Sequence, residues 1–225
     1  MLNSLKNKVI ISVQAMPDEP LYKEECMFAM MQSVLSGGAA GLRVAGARDV
    51  KNAKKLAVPV IGLTKPDKMP ENADRVVYIT PTLEDVSAVI SAGADIIAFD
   101  GTSRPRPDGS DVKEIISVIK SKKRYSMADI SNYEEAQYCI NAGADIVSTT
   151  LSGYTSYTLN ESGEPDFELL KKIVSNYDTP VFLEGRIQTP EQVDRAFDIG
   201  AYAVVIGSAV TRPKLITRKF TERTV

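Results

Sequence analysis

Short apolar runs recur along the chain, separated by longer stretches in which apolar and polar residues mix at helical spacing. Four of the runs share one theme: S-G-G-A-A-G-L-R-V (36–44), S-A-G-A-D-I-I-A-F-D (91–100), N-A-G-A-D-I-V-S-T-T (141–150) and D-I-G-A-Y-A-V-V-I-G (198–207). In each, Gly38, Gly93, Gly143 or Gly200 closes a helical-looking segment, where glycine accepts the left-handed conformation that ends a helix. The run that follows is apolar without alternation, as a strand buried on both faces should be. Runs at 9–13, 59–63, 125–129 and 180–184 interleave with these, which predicts eight strands. Helices are predicted between them at 84–92, 111–121, 132–141, 166–176 and 190–198, several opened by a capping residue or by proline, as in T-P-E-Q (189–192).

Strand–helix alternation argues for parallel pairing with right-handed crossovers. Eight units of about 28 residues each fit a tightly trimmed (β/α)8 TIM barrel, one domain over residues 1–225. An open doubly wound sheet is the rival architecture. V-V-Y-I-T (76–80) would be a ninth strand, and we read it as a short insertion before the helix at 84–92.

Such a barrel carries its chemistry at the C-terminal strand ends. In order, those ends hold Gln14, Arg43, Lys65, Asp100, Asp129, Thr149 with Thr150, Glu184 with Gly185, and Gly207 with Ser208. They would converge on one mouth. A lysine crowded there by Arg43 has its charged form disfavoured, so Lys65 can act as a base or as a Schiff-base nucleophile. Glu184 ends a buried strand beside glycine and needs a substrate hydroxyl or a cation, which pairs it with Lys65 for acid–base work. Asp100 and Asp129 can equally cap a helix or tie a loop. Gly185, Gly207 and Ser208 follow the two strands whose loops bind phosphate in many barrels, and Arg212 lies just beyond to pair with an anion. The hydroxyl-rich stretch 149–158 reads as a loop or lid over the mouth. The basic stretch R-P-K-L-I-T-R-K-F-T-E-R (212–223) reads first as a solvated helix face, and alternatively as a helix end flanking an anion site.

Composition then removes alternatives. Lys plus Arg number 27 and Asp plus Glu 29, so no basic excess exists to hold nucleic acid. The absence of histidine removes imidazole-based triads and His-built metal sites. Two cysteines, Cys26 and Cys139, form no disulfide framework, which fits a reducing cytoplasm. The apolar run after Lys8 is too short for a signal peptide, and no stretch is long enough to span a membrane.

Seven segments carry a resemblance. They are S-V-Q-A-M-P-D-E-P-L (12–21), I-G-L-T-K (61–65), D-G-T-S-R-P-R-P (100–107), M-A-D-I-S (127–131), S-T-T-L-S-G-Y-T (148–155), L-E-G-R-I-Q-T-P (183–190) and I-G-S-A-V-T-R-P (206–213). In this order, they resemble the signatures of the N-acetylmannosamine-6-phosphate 2-epimerase family of bacterial sialic acid catabolism. The resemblance implies a cofactor-free barrel that interconverts N-acetylmannosamine 6-phosphate and N-acetylglucosamine 6-phosphate. It puts the family's catalytic lysine and glutamate on Lys65 and Glu184. Its substrate-contacting residues fall on Gln14, Arg43 and Asp129, and its phosphate-side arginine on Arg212. Val13 replaces the family's usual cysteine, Pro66 its frequent arginine, and I-G-S the G-G of some members. None of these removes a catalytic group, though Pro66 bears on the loop covering the sugar.

The implied chemistry suits these residues. The proton on carbon 2 is acidic only when carbon 1 is a carbonyl, so the ring must open before a base acts. Two alternatives stay open: a Schiff-base aldolase acting through Lys65, and a non-catalytic phosphosugar sensor. Homodimers are common among such barrels, which points to a homodimer here.

Overall fold

The computed structural model describes residues 1–159 and 162–222. Eight parallel strands close into a barrel in sequence order: β1 (Lys8–Val13), β2 (Leu42–Ala45), β3 (Val60–Leu63), β4 (Ile96–Asp100), β5 (Tyr125–Asp129), β6 (Ile146–Ser148), β7 (Val181–Glu184) and β8 (Ala203–Ile206). Pairing of β1 with β8, Lys8 opposite Ala203, completes the ring and excludes the open sheet. Around it run α1 (Glu24–Ser36), α2 (Ala47–Lys54), α3 (Leu83–Ser91), α4 (Val112–Ser121), α5 (Tyr133–Asn141), α6 (Phe167–Val174) and α7 (Pro190–Ile199). A single-turn helix α8 (Ser208–Thr211) then precedes α9 (Pro213–Thr221). Among the described residues no helix is long and apolar enough to cross a membrane.

Strand parity explains where the chemistry goes. Successive side chains alternate between the helix layer and the barrel interior. Val13, Val44, Phe99, Ala128, Val147 and Leu183 pack outward in the core shared with the helices. Ile10, Ile61, Leu63, Ala98, Met127, Phe182 and Val205 fill the interior, with Leu5 buried among them. Counting on by twos from the interior positions brings Gln14, Lys65, Asp100, Asp129, Thr150 and Glu184 inward at the C-terminal end. Arg43 faces inward by the same rule, between the outward Leu42 and Val44.

Local sequence sets the element ends. Thr82, Asp111 and Thr189 each begin a helix through a reciprocal capping box, and Asn132 and Asp166 cap by accepting from the third residue on. Gly38, Gly93, Gly143 and Gly200 have φ between +95° and +114°, the left-handed stop that the repeats predict. The aspartates of the two A-G-A-D repeats do one job twice. Asp95 accepts from the Val60 N–H at 3.0 Å, and Asp145 from the Ser126 N–H at 2.9 Å, each lashing the start of the preceding strand.

The run 76–80 is not a ninth strand. It is threaded between the C-terminal ends of β3 and β4, where the ladder has paired only Ile61 with Ile96 and Gly62 with Ile97. The Thr80 N–H donates to the Thr64 carbonyl at 3.1 Å, and the Asp100 N–H donates to the Ile79 carbonyl at 3.0 Å. The Thr80 hydroxyl accepts from the Thr64 N–H and donates to the Ala98 carbonyl at 2.6 Å. Ile79 joins the interior core. The segment thus supplies the hydrogen bonds that the splayed strands would otherwise lack.

Candidate active site

A cavity of about 330 Å³ opens at the C-terminal end of the barrel. Gln14, Arg43, Lys65 and Glu184 line its floor and walls, and Gly185, Gly207, Ser208 and Arg212 lie on the side of β7 and β8. Eight of the nine residues expected at the site therefore meet in one place. Asp129 does not line the cavity. It is fully buried beneath it, where it receives both ends of the Arg43 guanidinium at 2.6 and 3.1 Å and the Thr150 hydroxyl at 2.7 Å. Asp100 is also fully buried and ties a loop, holding Arg104 at 2.7 Å and Thr102 at 2.6 Å. Desolvation raises the Asp100 carboxyl above its ordinary range, against the pull of Arg104.

Arg43 is the hub of the floor. Besides Asp129 it contacts Glu184 at 3.0 Å, and burial of the cation is outweighed by the two carboxylates, which hold it above the usual arginine value. Thr150 sits between the same carboxylates, 3.2 Å from Glu184. Burial pushes the Glu184 carboxyl up to about 7, helped by Asp129 and opposed by Arg43. Lys65 makes no hydrogen bond or ion pair within the described residues. Burial, then Arg43, brings its amine down to about 8. Crowding by Arg43 predicts that direction, but loss of water contributes more. Arg212 pairs with Glu19 at 2.9 Å and donates to the Gln14 carbonyl at 3.1 Å, fixing the β1 loop at the rim. At the site two buried atoms, Gln14 Oε1 and Arg43 Nε, have no partner within the described residues. Each would cost about 1–3 kcal/mol if left so, and a bound polar ligand removes that cost.

A family model described as "Putative N-acetylmannosamine-6-phosphate epimerase" matches residues 27–225. The chain belongs to the N-acetylmannosamine-6-phosphate epimerase family. A relative from Clostridioides difficile (strain 630), named "Putative N-acetylmannosamine-6-phosphate 2-epimerase", is 43% identical over 98% of this chain and 97% of its own length. Another of the same name, from Caldanaerobacter subterraneus subsp. tengcongensis, is 44% identical over 98% of this chain and 92% of its own. The solved structure of the N-acetylmannosamine-6-phosphate 2-epimerase from Clostridium perfringens superposes with a TM-score of 0.93 at 42% identity, covering 99% of this chain and 96% of that one. A 3-hexulose-6-phosphate synthase from Salmonella typhimurium, at 15% identity and TM-score 0.66, shares the fold alone.

The epimerase cavity also contains residues that strand-end reasoning does not reach. Tyr78 enters it from the threaded segment, and Arg186 and Tyr154 from the β7 and β6 loops. Arg186 holds φ at +59° and donates to the Ser152 carbonyl at 2.6 Å, stapling those two loops together. The stretch 149–158 is only partly a lid. Thr149, Leu151, Ser152 and Thr155 are buried, while Tyr154 and Tyr157 remain exposed. Its first residues form a turn of 3-10 helix packed on β7, with the Thr149 hydroxyl donating to the Glu184 carbonyl at 2.9 Å. The basic C-terminal stretch forms α9, none of whose residues is buried, so the solvated-face reading holds for it; Arg223 lies outside the described residues.

Proposed function

We propose that this chain interconverts N-acetylmannosamine 6-phosphate and N-acetylglucosamine 6-phosphate by moving a proton at carbon 2, with Lys65 and Glu184 as the acid–base pair. The observation that carries the reading is that one cavity holds an amine and a carboxyl whose burial brings them to about 8 and about 7. Groups poised near neutrality transfer protons in both directions most effectively. With the ring open, the base takes the carbon 2 proton and the electron pair enters the bond to carbon 1, leaving charge on the carbon 1 oxygen. A proton returned to the opposite face gives the other epimer. Arg43 and Thr150 keep the Glu184 carboxylate in place through both half-reactions. Gln14 Oε1, buried and unpaired, accepts from a sugar hydroxyl or from the acetamido N–H.

The phosphate goes to the β7–β8 side. There Gly185, Gly207 and Ser208 bring backbone N–H groups close, and α8 is the short extra helix that binds phosphate in many barrels. Arg212 supplies charge at the same rim.

Proton NMR of N-acetylmannosamine 6-phosphate with the protein in deuterium oxide tests the reading. The expected result is conversion to the second epimer with loss of the carbon 2 proton signal. Binding without conversion or exchange would leave a phosphosugar sensor. A lysine adduct trapped by borohydride would instead point to Schiff-base chemistry at Lys65.

A further inference from the structure

The mechanism leaves one charge without a protein partner. When the carbon 2 proton departs, the carbon 1 oxygen becomes negative, and the cavity's fixed cations are already committed. Arg43 is engaged by Asp129 and Glu184, Arg212 by Glu19 and the Gln14 carbonyl, and Arg186, on the β7 loop, donates to the Ser152 and Glu164 carbonyls. Lys65 belongs to the proposed acid–base pair. Of the nearby hydroxyls, Thr150 donates to Asp129 and Thr211 donates to the Ser12 carbonyl, while Ser12, which accepts from Gln14, lies against Gly207 on the proposed phosphate side. Ser208 lies at the phosphate end, and Tyr154 is 45% exposed at the rim.

Tyr78 remains. Its side chain lines the cavity, half-buried, and its hydroxyl has no hydrogen-bond partner within the described residues. It interacts electrostatically with Arg43 and with Asp129, so it borders the catalytic floor. Its placement is rigid for a reason visible in the backbone. Two residues on, Thr80 sits at φ +45°, a conformation that a β-branched residue adopts only where its surroundings enforce it. The enforcement is the set of hydrogen bonds from the Thr80 backbone and hydroxyl to β3 and β4. On the other side the Arg104 guanidinium lies 5.8 Å from the Tyr78 ring centroid, itself held by Asp100 and the Ala73 carbonyl. Burial, with Asp100 and Asp129 nearby, pushes the phenol up to about 12, so it keeps its proton at working pH.

We propose that Tyr78 is a further catalytic residue, whose hydroxyl donates a hydrogen bond to the substrate oxygen on carbon 1 as that oxygen becomes negative. The bookkeeping is that of the proposed reaction: the carbon 2–hydrogen bond breaks, the carbon 1–carbon 2 double bond forms, and the carbonyl electron pair moves to oxygen. Tyr78 transfers no proton; it stabilises the charge as a preorganised donor. The strain at Thr80 thereby has a use, since it fixes a donor before the charge appears.

The inference rests on the proposed epimerase reading, and the test separates the two. Tyr78→Phe removes one oxygen and keeps the ring that packs beside Arg104. The variant should melt with the wild type. Its kcat and its rate of deuterium wash-in at carbon 2 should fall together by about 10²–10³-fold, with KM changed far less. Wild-type kcat and wash-in in a folded Tyr78→Phe protein that still epimerises would overturn the role of Tyr78 and leave the reaction standing. A rise in KM with kcat unchanged would also overturn it, making Tyr78 a ground-state contact. A wild-type protein that neither converts nor exchanges the sugar would overturn the reaction and Tyr78 together.

Discussion

Lys65 and Glu184 titrate in the order that acid–base catalysis near neutrality needs. Below about 7 both carry their protons, and above about 8 neither does. Only between these values does the pair hold a single proton, so that one member can give while the other takes. The values belong to the pair, and either assignment of acid and base gives the same profile. We expect kcat/KM for epimerisation to rise through about 7 and fall above about 8; a flat profile from rate measurements across this range would contradict the pairing. Because Lys65 bonds to nothing else described, Lys65→Ala should keep its melting temperature while turnover falls at least ~10²-fold. At this scale the sequence was informative where strand parity decides the outcome. Lys65, Glu184 and Gln14 follow from counting by twos to a strand end, and Arg43 from the same parity within β2. Depth does not follow from that count, which is why Asp129 looked like a substrate contact although it lies under Arg43. Tyr78 is not legible in this way, because nothing in V-V-Y-I-T shows that the run re-enters the barrel.

Elements are joined at the mouth by a carboxylate that performs no chemistry. Glu135, in the first turn of α5, is buried and accepts from the Ser131 N–H at 2.8 Å, the Ser131 hydroxyl at 2.7 Å, the Ser103 N–H at 3.1 Å and the Tyr157 hydroxyl at 2.5 Å. It therefore ties the loops after β4, β5 and β6 into one rim. In Glu135→Gln an amide nitrogen would face groups that are themselves donors. The expected cost is about 1–3 kcal/mol, read as a lower Tm, with faster hydrogen exchange at Ser103 and Ser131. Unchanged melting and exchange would show that the rim holds without it. Helix positions were legible because caps are local: Asp111, Asn132, Asp166 and Thr189 announce their helices in the sequence. The threaded run 76–80 and the turn at Thr149–Leu151 were not, since both have the composition of strands and only tertiary hydrogen bonds decide that they are something else.

Across the whole molecule, in the proposed reading, chemistry and phosphate recognition occupy different sectors of one barrel mouth, the β3–β7 floor and the β7–β8 rim. N-acetylmannosamine without phosphate should therefore be a poor substrate, with kcat/KM lower by about 10²-fold, the scale of a charge-assisted contact set. Arg212→Ala should act mainly on KM. Equal steady-state kinetics on both sugars would remove the anion site from the account. The architecture was legible because eight similar units must close on themselves. That same closure dictates an order of events as the chain folds. The ladder between Lys8–Ile11 and Ala203–Ile206 joins the first strand to the last, so it can form only after nearly everything between has been made and placed. Contacts of such sequence separation are entropically dear and form slowly. Until β8 arrives, β1 presents an unpaired apolar edge, the kind of edge that recruits other chains. The completed barrel has no edge, but every newly synthesised copy passes through a stage that does, and that stage is where aggregation competes with folding.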